Sequence, residues 1–212
     1  MTDVPTGLLG RKVGMTRIFD DDGNVIPVTL VQAGPCIVVQ RKTAESDGYE
    51  AIQVGFEEKK RSRVNKPMMG HFASRNVEPQ RVLLEFRVGA DEEYSPGDAI
   101  TVGIFDEGQM VNVSGTTKGR GFAGAVKRYG FRGGPASHGS KVHRAPQSAG
   151  ATDAQRVFKG KRGPGHMGAA KRTVRGLRVV KVDPERNLLL IRGAVPGPNG
   201  GLLSIRPHVQ GS

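Results

Sequence analysis

The sequence is poor in cysteine, in long apolar runs and, over one stretch, in acidic residues. A single cysteine excludes an internal disulfide, and Cys36 lies in the apolar run PCIVV, where we expect a buried, unreactive thiol. No run approaches the ~20 apolar residues that a membrane span requires. Residues 1–15 lack the apolar core of a signal peptide. These absences predict a cytosolic protein.

Acidic residues are almost missing from residues 115–175. This stretch holds 14 Lys and Arg against one acid, Asp153, whereas the rest of the chain holds 18 bases and 19 acids. It therefore contributes +13 to the net charge of +12, and the rest contributes −1. A pI near 10.3 predicts a polyanionic partner, with nucleic acid first and an anionic membrane or sulfated sugar second.

Short β-type runs, separated by turn residues, lie on both sides of the basic stretch. They predict a mainly-β body, a closed β-barrel of about six strands with the basic, glycine-rich extension inserted between barrel strands. We expect 1–114 to form the first part of the body, 115–172 the extension and 173–212 the second part. The predicted strands are 7–19, 25–33, 36–42, 49–56, 81–88, 99–105, 110–114, 176–182, 187–192 and 202–206, of which 176–182 and 187–192 form a hairpin.

Residues 57–80 interrupt the strands as a small helical or irregular insert. Pro67 suits the first turn of a short helix, and His71 has no partner that the sequence identifies, so it is either structural or exposed. The segment also contains a second basic cluster, which is either a solvated loop or a further nucleic-acid contact. The cluster comprises Lys59, Lys60, Arg61, Arg63 and Lys66.

The basic stretch contains the pattern G-x-G-x-x-G at Gly119, Gly121 and Gly124. A dinucleotide fold needs a full helix after this loop and an acid about 20 residues later. Here Gly130 ends the helix after Tyr129, and the later acid is absent. A nucleotide-dependent enzyme that uses this loop is therefore the weaker alternative. A phosphate-binding P-loop also fails, because Arg162 follows Lys161 where Ser or Thr is needed.

Catalytic and metal sites are not predicted. His138 and His143 have no cysteine or carboxylate beside them, which argues against zinc. Asp153, His166 and Ser137 could form a catalytic set only inside a walled pocket, and this segment has few apolar residues to build one. We expect no enzyme activity and no cofactor.

Nucleic-acid binding has the stronger physical basis. The cations can neutralise phosphates and release counterions, and the glycines allow close approach of the backbone to a phosphate. Aromatic residues lie between the cations and can stack on unpaired bases. For Phe122 and Phe158, however, we expect anchoring within the protein rather than stacking. A freestanding nucleic-acid chaperone is a further alternative.

Five segments resemble a known family. They are GLLGRKVGMTRIF at 7–19, PVTLVQAGPCIVVQ at 27–40, VNVSGTTKGRGFAGAVKRYGFRGGPASHGS at 111–140, VFKGKRGPGHMG at 157–168 and NLLLIRGAVPGPNGGLLSIR at 187–206. Together they resemble the bacterial family of large-subunit ribosomal protein three over nearly the whole chain.

The resemblance implies a structural constituent of the large ribosomal subunit that binds 23S-type rRNA and helps to initiate subunit assembly. It implies a barrel of the translation-factor type, an extension directed towards the peptidyl transferase centre with its tip near 145–155, and ribosomal proteins fourteen and nineteen as neighbours. Besides the cluster at 59–66, the predicted rRNA-binding residues are Lys118, Arg120, Lys127, Arg128, Arg132, His138, Lys141, His143, Arg144, Gln147, Ser148, Arg156, Lys159, Lys161, Arg162, His166, Lys171, Arg172 and Arg175.

The tip departs from the family pattern. Many members have a glutamine there that some bacteria methylate, whereas here Gly150 is followed by Ala-Thr-Asp at 151–153. Gln147 and Gln155 are nearby, but neither occupies the motif position. Asp153 is an unexpected acid in a segment predicted to lie close to RNA, where it could contact a cation, an arginine or water.

Overall fold

The computed structural model of the chain describes residues 7–20, 22–89, 92–150 and 155–209. It is mainly β and divides into two compact units. We call Met1–Thr116 with Lys171–Ser212 the body, and Thr117–Ala170 the extension. None of the helices in the described ranges has the length and apolarity needed to cross a membrane.

Strands outnumber helices along the described chain. In chain order, the strands are β1 (Leu8–Phe19), β2 (Val25–Ala33), β3 (Cys36–Lys42), β4 (Ala51–Glu58), β5 (Gln80–Arg87), β6 (Ala99–Ile100), β7 (Met110–Thr116), β8 (Phe122–Ala123), β9 (Gly165–His166), β10 (Lys171–Asp183), β11 (Leu188–Arg192) and β12 (Leu202–Pro207). The helices are α1 (Ala44–Asp47), α2 (Lys66–Ala73) and α3 (Ala125–Tyr129), with single 3₁₀ turns at Arg61–Arg63 and Val102–Ile104.

Six strands from both ends of the chain pair in a closed cycle. The order is β1, β12, β7, β10, β11 and β2, and β2 pairs again with β1, with every pairing antiparallel. The predicted hairpin is confirmed, since β10 and β11 pair across the turn that follows Asp183. The first and last predicted strands are confirmed as β1 and β12.

Four predicted strands do not join this ring. They form a separate sheet in the order β5, β4, β3 and β6. Alternation of apolar and polar residues indicates a strand but not its partner, so the sequence did not reveal this second sheet. The apolar faces of ring and sheet share one core, in which Leu8, Ile52 and Ile205 are fully buried or nearly so.

The strand predicted at 99–105 is wrong beyond Ile100, because a 3₁₀ turn covers Val102–Ile104. Residues 102 and 105 would point to opposite faces of a strand, whereas three residues of a 3₁₀ turn return to the same side. The turn therefore places both Val102 and Phe105 in the core. Packing of these two side chains overrides the local strand pattern.

The predicted inert thiol and the short helix are confirmed. Cys36 is fully buried, and burial raises the pKa of its thiol to about 11. Helix α2 begins with Pro67 in its first turn, and the Asn65 side chain accepts a hydrogen bond from the Met68 backbone N–H at 3.1 Å. His71 is structural: its Nε2 lies 2.8 Å from Oε1 of Gln53, and burial lowers its pKa.

Candidate nucleic-acid interface

The extension begins and ends as two antiparallel runs of backbone. The Thr117 N–H donates to the Ala170 carbonyl at 3.0 Å, and the Arg120 N–H donates to the Met167 carbonyl at 2.8 Å. Strands β8 and β9 continue this pairing. Gly168 has a φ of +75°, and a Cβ there would lie 2.1 Å from the Lys118 carbonyl oxygen, so only glycine fits between the runs.

A second close approach lies further along the extension. The Gly134 N–H donates to the His143 carbonyl at 2.9 Å, and His143 Nδ1 lies 2.8 Å from the Pro135 carbonyl. A Cβ on Gly134 would lie 2.0 Å from the Val142 carbonyl oxygen. The glycine is needed because two backbones lie in direct contact here.

Helix α3 presents a cluster of cations and aromatic rings. It ends at Gly130, whose φ of +72° is the left-handed conformation that glycine favours at a helix C-terminus. Arg128 Nη1 donates to the Gly163 carbonyl at 2.9 Å, so this side chain ties the outgoing run to the returning one. The guanidinium groups of Arg128 and Arg162 lie 5.0 Å and 5.6 Å from the centre of the Tyr129 ring.

The predicted cations are available to a polyanion. Arg128 is half-buried, and the other lysines and arginines of the extension are exposed. Leaving Arg156 aside, none of them lies within ion-pair distance of a carboxylate among the described residues. An exposed cation without a carboxylate partner can bind a phosphate without first breaking an ion pair. Asp153 and the rest of 151–154 lie outside the described residues.

The predicted site residues are divided between the extension and strand β10 of the body. His138, Lys141, Gln147 and Lys161 are exposed on the extension, and Lys161 Nζ donates to the Ser148 carbonyl at 3.1 Å. Three others stand on β10 in the body, where residues 171 and 172 pair with residues 116 and 115 of β7. These three are Lys171, Arg172 and Arg175.

The second basic cluster lies on the surface of the body. Arg61 donates from Nε to Oε2 of Glu78 at 3.1 Å, and this hydrogen-bonded pairing raises the pKa of its guanidinium. Lys59, Lys60 and Lys66 are exposed, as is Arg63. The cluster is therefore exposed on the body, across a 3₁₀ turn and the start of α2, and one of its cations already has an acidic partner.

The expectation that Phe122 and Phe158 anchor the extension is wrong within the described chain. Phe122 is 81% exposed and Phe158 is 63% exposed. Phe158 has a cation above it, because the Arg156 guanidinium lies 5.3 Å from its ring centre. Phe122 lies on the two-residue strand β8, where its side chain faces solvent. Both rings are open to a partner.

The glycine pattern does not build a nucleotide site in the described residues. Helix α3 is five residues long, and β8 pairs antiparallel with β9 instead of entering a parallel βαβ unit. A dinucleotide site needs both a full helix and that unit. Across the same residues, no three His, Cys, Asp or Glu side chains lie close enough together to hold a metal ion.

A polar concavity on the body, which the sequence did not reveal, is lined by residues that include Ser114, Thr173, Arg206 and His208. These residues lie on or beside three different strands that pair only in the fold. Alternating polar residues in each strand were the available signal, but they indicate a solvent-facing surface in general. The pairing of β7, β10 and β12 brings them together.

Sequence comparisons show which proteins this chain resembles. A family profile described as "Ribosomal protein L3" matches residues 90–187, which include the whole extension. "Large ribosomal subunit protein uL3" of Pelotomaculum thermopropionicum is 59% identical over 96% of this chain and 97% of its own length. The protein of the same name from Carboxydothermus hydrogenoformans is 56% identical over 98% of this chain and 100% of its own length. The chain belongs to the ribosomal protein L3 family.

This membership confirms the resemblance seen in the five sequence segments. It makes the chain a structural component of the ribosome and not an enzyme. The glycine-rich loop therefore has no role as an enzymatic nucleotide site.

Proposed function

We propose that the protein binds 23S-type rRNA directly, as a structural constituent of the large subunit of the cytoplasmic ribosome. The observation that supports this most strongly is the extension with its exposed cations. Residues 117–170 contain eleven Lys and Arg and one acid. Neutralising phosphates with these side chains releases counterions, which drives binding and makes it depend steeply on salt.

The extension also has the chemistry for contacts with unpaired nucleotides. Phe122 and Phe158 are exposed rings on which bases can stack. Tyr129, which lies beside two guanidinium groups, can join a stack of base, ring and cation. Glycines at 134 and 168 let the two backbone runs of the extension lie in direct contact. The predicted rRNA contacts at 118–172, 175 and 59–66 remain part of this proposal.

The body serves in this proposal as the folded base of the extension. The six-stranded ring is the closed β-barrel of the translation-factor type that the family resemblance implies. The sequence-based division into 1–114 with 173–212 as one body and 115–172 as the extension differs by two residues at each boundary from the body and extension defined above. Ribosomal proteins fourteen and nineteen are the proposed neighbours of the body.

The family resemblance implies two further roles for the extension. The tip near 145–155 approaches the peptidyl transferase centre without supplying chemistry. Binding at the start of assembly lets the extension order the rRNA around it, because cations that enter a folding RNA reduce the repulsion between its phosphates. Asp153 and its neighbours at this tip lie outside the described residues.

Binding of large-subunit rRNA by the purified chain tests the proposal. We expect Lys127→Ala and Arg132→Ala each to weaken binding and to reduce the slope of log K against log salt by about 0.7 to 0.9. Arg17→Ala removes one exposed cation from β1 and is the matched control. The proposal fails if affinity does not change with salt, or if all three variants behave alike.

A freestanding nucleic-acid chaperone would share this salt dependence, so a second measurement is needed. We expect the protein to sediment with the large subunit on a sucrose gradient after a high-salt wash. A chaperone would dissociate, and its absence from the washed subunit would contradict the structural role.

A further inference from the structure

The outer face of β12, β7 and β10 carries polar side chains in register. Ser204 is paired with Ser114, and Ser114 is paired with Thr173, so three hydroxyl side chains form one row across three strands. The Ser114 and Thr173 hydroxyl oxygens lie 2.7 Å apart. The inner face of the same strands is apolar, with Val113 and Ile205 fully buried. The polar row is therefore the outward half of an alternating pattern.

Cations flank this row of hydroxyls. Lys171 and Arg175 are two residues before and after Thr173 on β10, and Arg206 is two residues after Ser204 on β12. Together these residues line a concavity of about 360 Å³. No carboxylate belongs to its lining among the described residues. The concavity therefore combines positive charge with neutral hydrogen-bond donors.

Arg206 is an exposed cation whose guanidinium is held in position on this face. Its guanidinium lies 4.8 Å over the Phe86 ring, and Nη2 donates to the Glu85 carbonyl at 3.3 Å. Burial lowers its pKa, and no carboxylate of the described chain forms an ion pair with it. An exposed guanidinium that is held in place and has no carboxylate partner can bind a phosphate without first breaking an ion pair.

An unpartnered nitrogen lies in the same concavity. The His208 N–H donates to the Met110 carbonyl at 2.8 Å, which fixes the backbone beside β7. Its side-chain Nδ1 is buried and has no hydrogen-bond partner among the described residues. Buried polar atoms are normally hydrogen-bonded, so this atom indicates a missing partner beside a residue that lines the concavity.

We infer that this face is a second rRNA contact, which binds the phosphodiester backbone through Arg206, Lys171 and the hydroxyl row. Hydroxyl and guanidinium groups are the usual donors to phosphate oxygens, and serine or threonine can also bond a ribose 2′-hydroxyl. A row of donors across three strands suits a chain of phosphates better than a single ion. The inference rests on the proposed rRNA binding, but it assigns part of that binding to the body.

Charge removal on the full-length chain tests the inference. We expect Arg206→Gln to weaken binding to large-subunit rRNA roughly tenfold and to lower the salt slope by about 0.7 to 0.9. Lys171→Gln should lower the slope similarly, whereas Arg17→Gln on β1 should leave it unchanged. An Arg206→Gln slope equal to that of the wild type overturns the inference. If the wild type itself binds without salt dependence, the proposed function fails instead.

A second variant adds a charge and leaves the contact between Arg206 and Phe86 intact. Ser204→Asp places a negative charge in the middle of the row, where it repels a phosphate. Thr16→Asp adds the same charge to an exposed position of β1 and is the matched control. We expect only Ser204→Asp to weaken rRNA binding by tenfold or more, with circular dichroism unchanged in both. Equal binding by the two variants contradicts the inference.

Discussion

The body and the extension are stabilised by different interactions. The body has a continuous apolar core, whereas in the described extension only Ala123 and Ala125 are buried apolar residues. The extension is held by backbone hydrogen bonds between its two runs and by Arg128, which donates to a carbonyl of the opposite run. Apolar burial is the main stabilising force in folding, and the extension has almost none.

The body and the extension also differ in how their charges are balanced. The body pairs many of its cations, as Arg11 does with Glu57 and Lys42 with Glu85. The extension has one acid in its sequence for eleven bases. Its own cations repel one another until phosphates neutralise them. The body is therefore close to charge balance, whereas the extension carries ten of the twelve excess positive charges.

The largest expected difference is in the free energy of unfolding when one phenylalanine is removed from each region. Phe86→Ala should destabilise the body by about 3–5 kcal/mol, because Phe86 is 1% exposed and its loss leaves a cavity. Phe122→Ala should leave the free energy of unfolding almost unchanged, because that ring is 81% exposed. Urea unfolding of both variants measures the difference. Equal destabilisation would show that the extension has a core of its own.

A smaller effect is expected from the backbone contact in the extension. Gly134→Ala forces the Val142 carbonyl away from a Cβ that would lie 2.0 Å from it. We expect a loss of about 1–3 kcal/mol in rRNA binding free energy, with no change in the unfolding of the body. Gly163→Ala is the control, because a Cβ there meets nothing within 4 Å. If both variants bind rRNA as the wild type does, the close approach is not needed.

Acid should destabilise the body by protonating Glu57, which forms an ion pair with Arg11. The hydrogen bond from Arg11 lowers the pKa of Glu57 from its ordinary value of 4.5. Because the pKa of Glu57 is lower in the folded state, its ionised carboxylate stabilises the fold fully when the pH is above 4.5. This stabilisation is lost as the pH falls through the pKa of the folded state. We expect Glu57→Gln to cost about 1 kcal/mol or less at pH 7 and less than that at pH 3. Glu58→Gln, one residue later and exposed, is the control.

Urea unfolding at both pH values measures this prediction. A cost of Glu57→Gln that persists at low pH would assign it to packing instead of to the ion pair.

The smallest expected effect on the body is that of removing the extension. Thr117 and Ala170 are hydrogen-bonded, so an Asn-Gly turn between them can replace residues 118–169 and join β7 to β10 as a hairpin. We expect no loss of stability, because a shorter connection costs less loop-closure entropy. Circular dichroism and urea unfolding check this. An unfolded product would contradict the independence of the body.

Much of the body could be predicted from local sequence. Alternation and turn residues located β1, β2, β11 and β12, and Pro67 indicated α2. The partner of each strand could not be predicted, because pairing depends on contacts between residues far apart in the chain. The end of the extension was misplaced for the same reason. Lys171 and Arg172 continue its basic sequence, but in the fold they pair with Thr116 and Gly115 of the body.

The candidate interface was predictable where it depends on composition. Charge alone located the cations of the extension, because a long run without acids needs no fold to be recognised. Arg206 and His208 were missed because each is isolated in sequence, and only the register of β7 and β12 places them together. The exposure of Phe122 was also missed, since large aromatic side chains are usually buried and the sequence does not show which surface would cover this one.

The salt dependence of rRNA binding, compared between the full chain and the chain without residues 118–169, tests the central claim most directly. Each phosphate contact contributes about 0.7 to 0.9 to the slope of log K against log salt. We expect the steepest slope for the full chain and a clearly lower slope for the shortened one, which loses the eleven cations of the extension and keeps only the proposed contacts of the body. A shortened chain that keeps the full slope would contradict the assignment of rRNA binding to the extension.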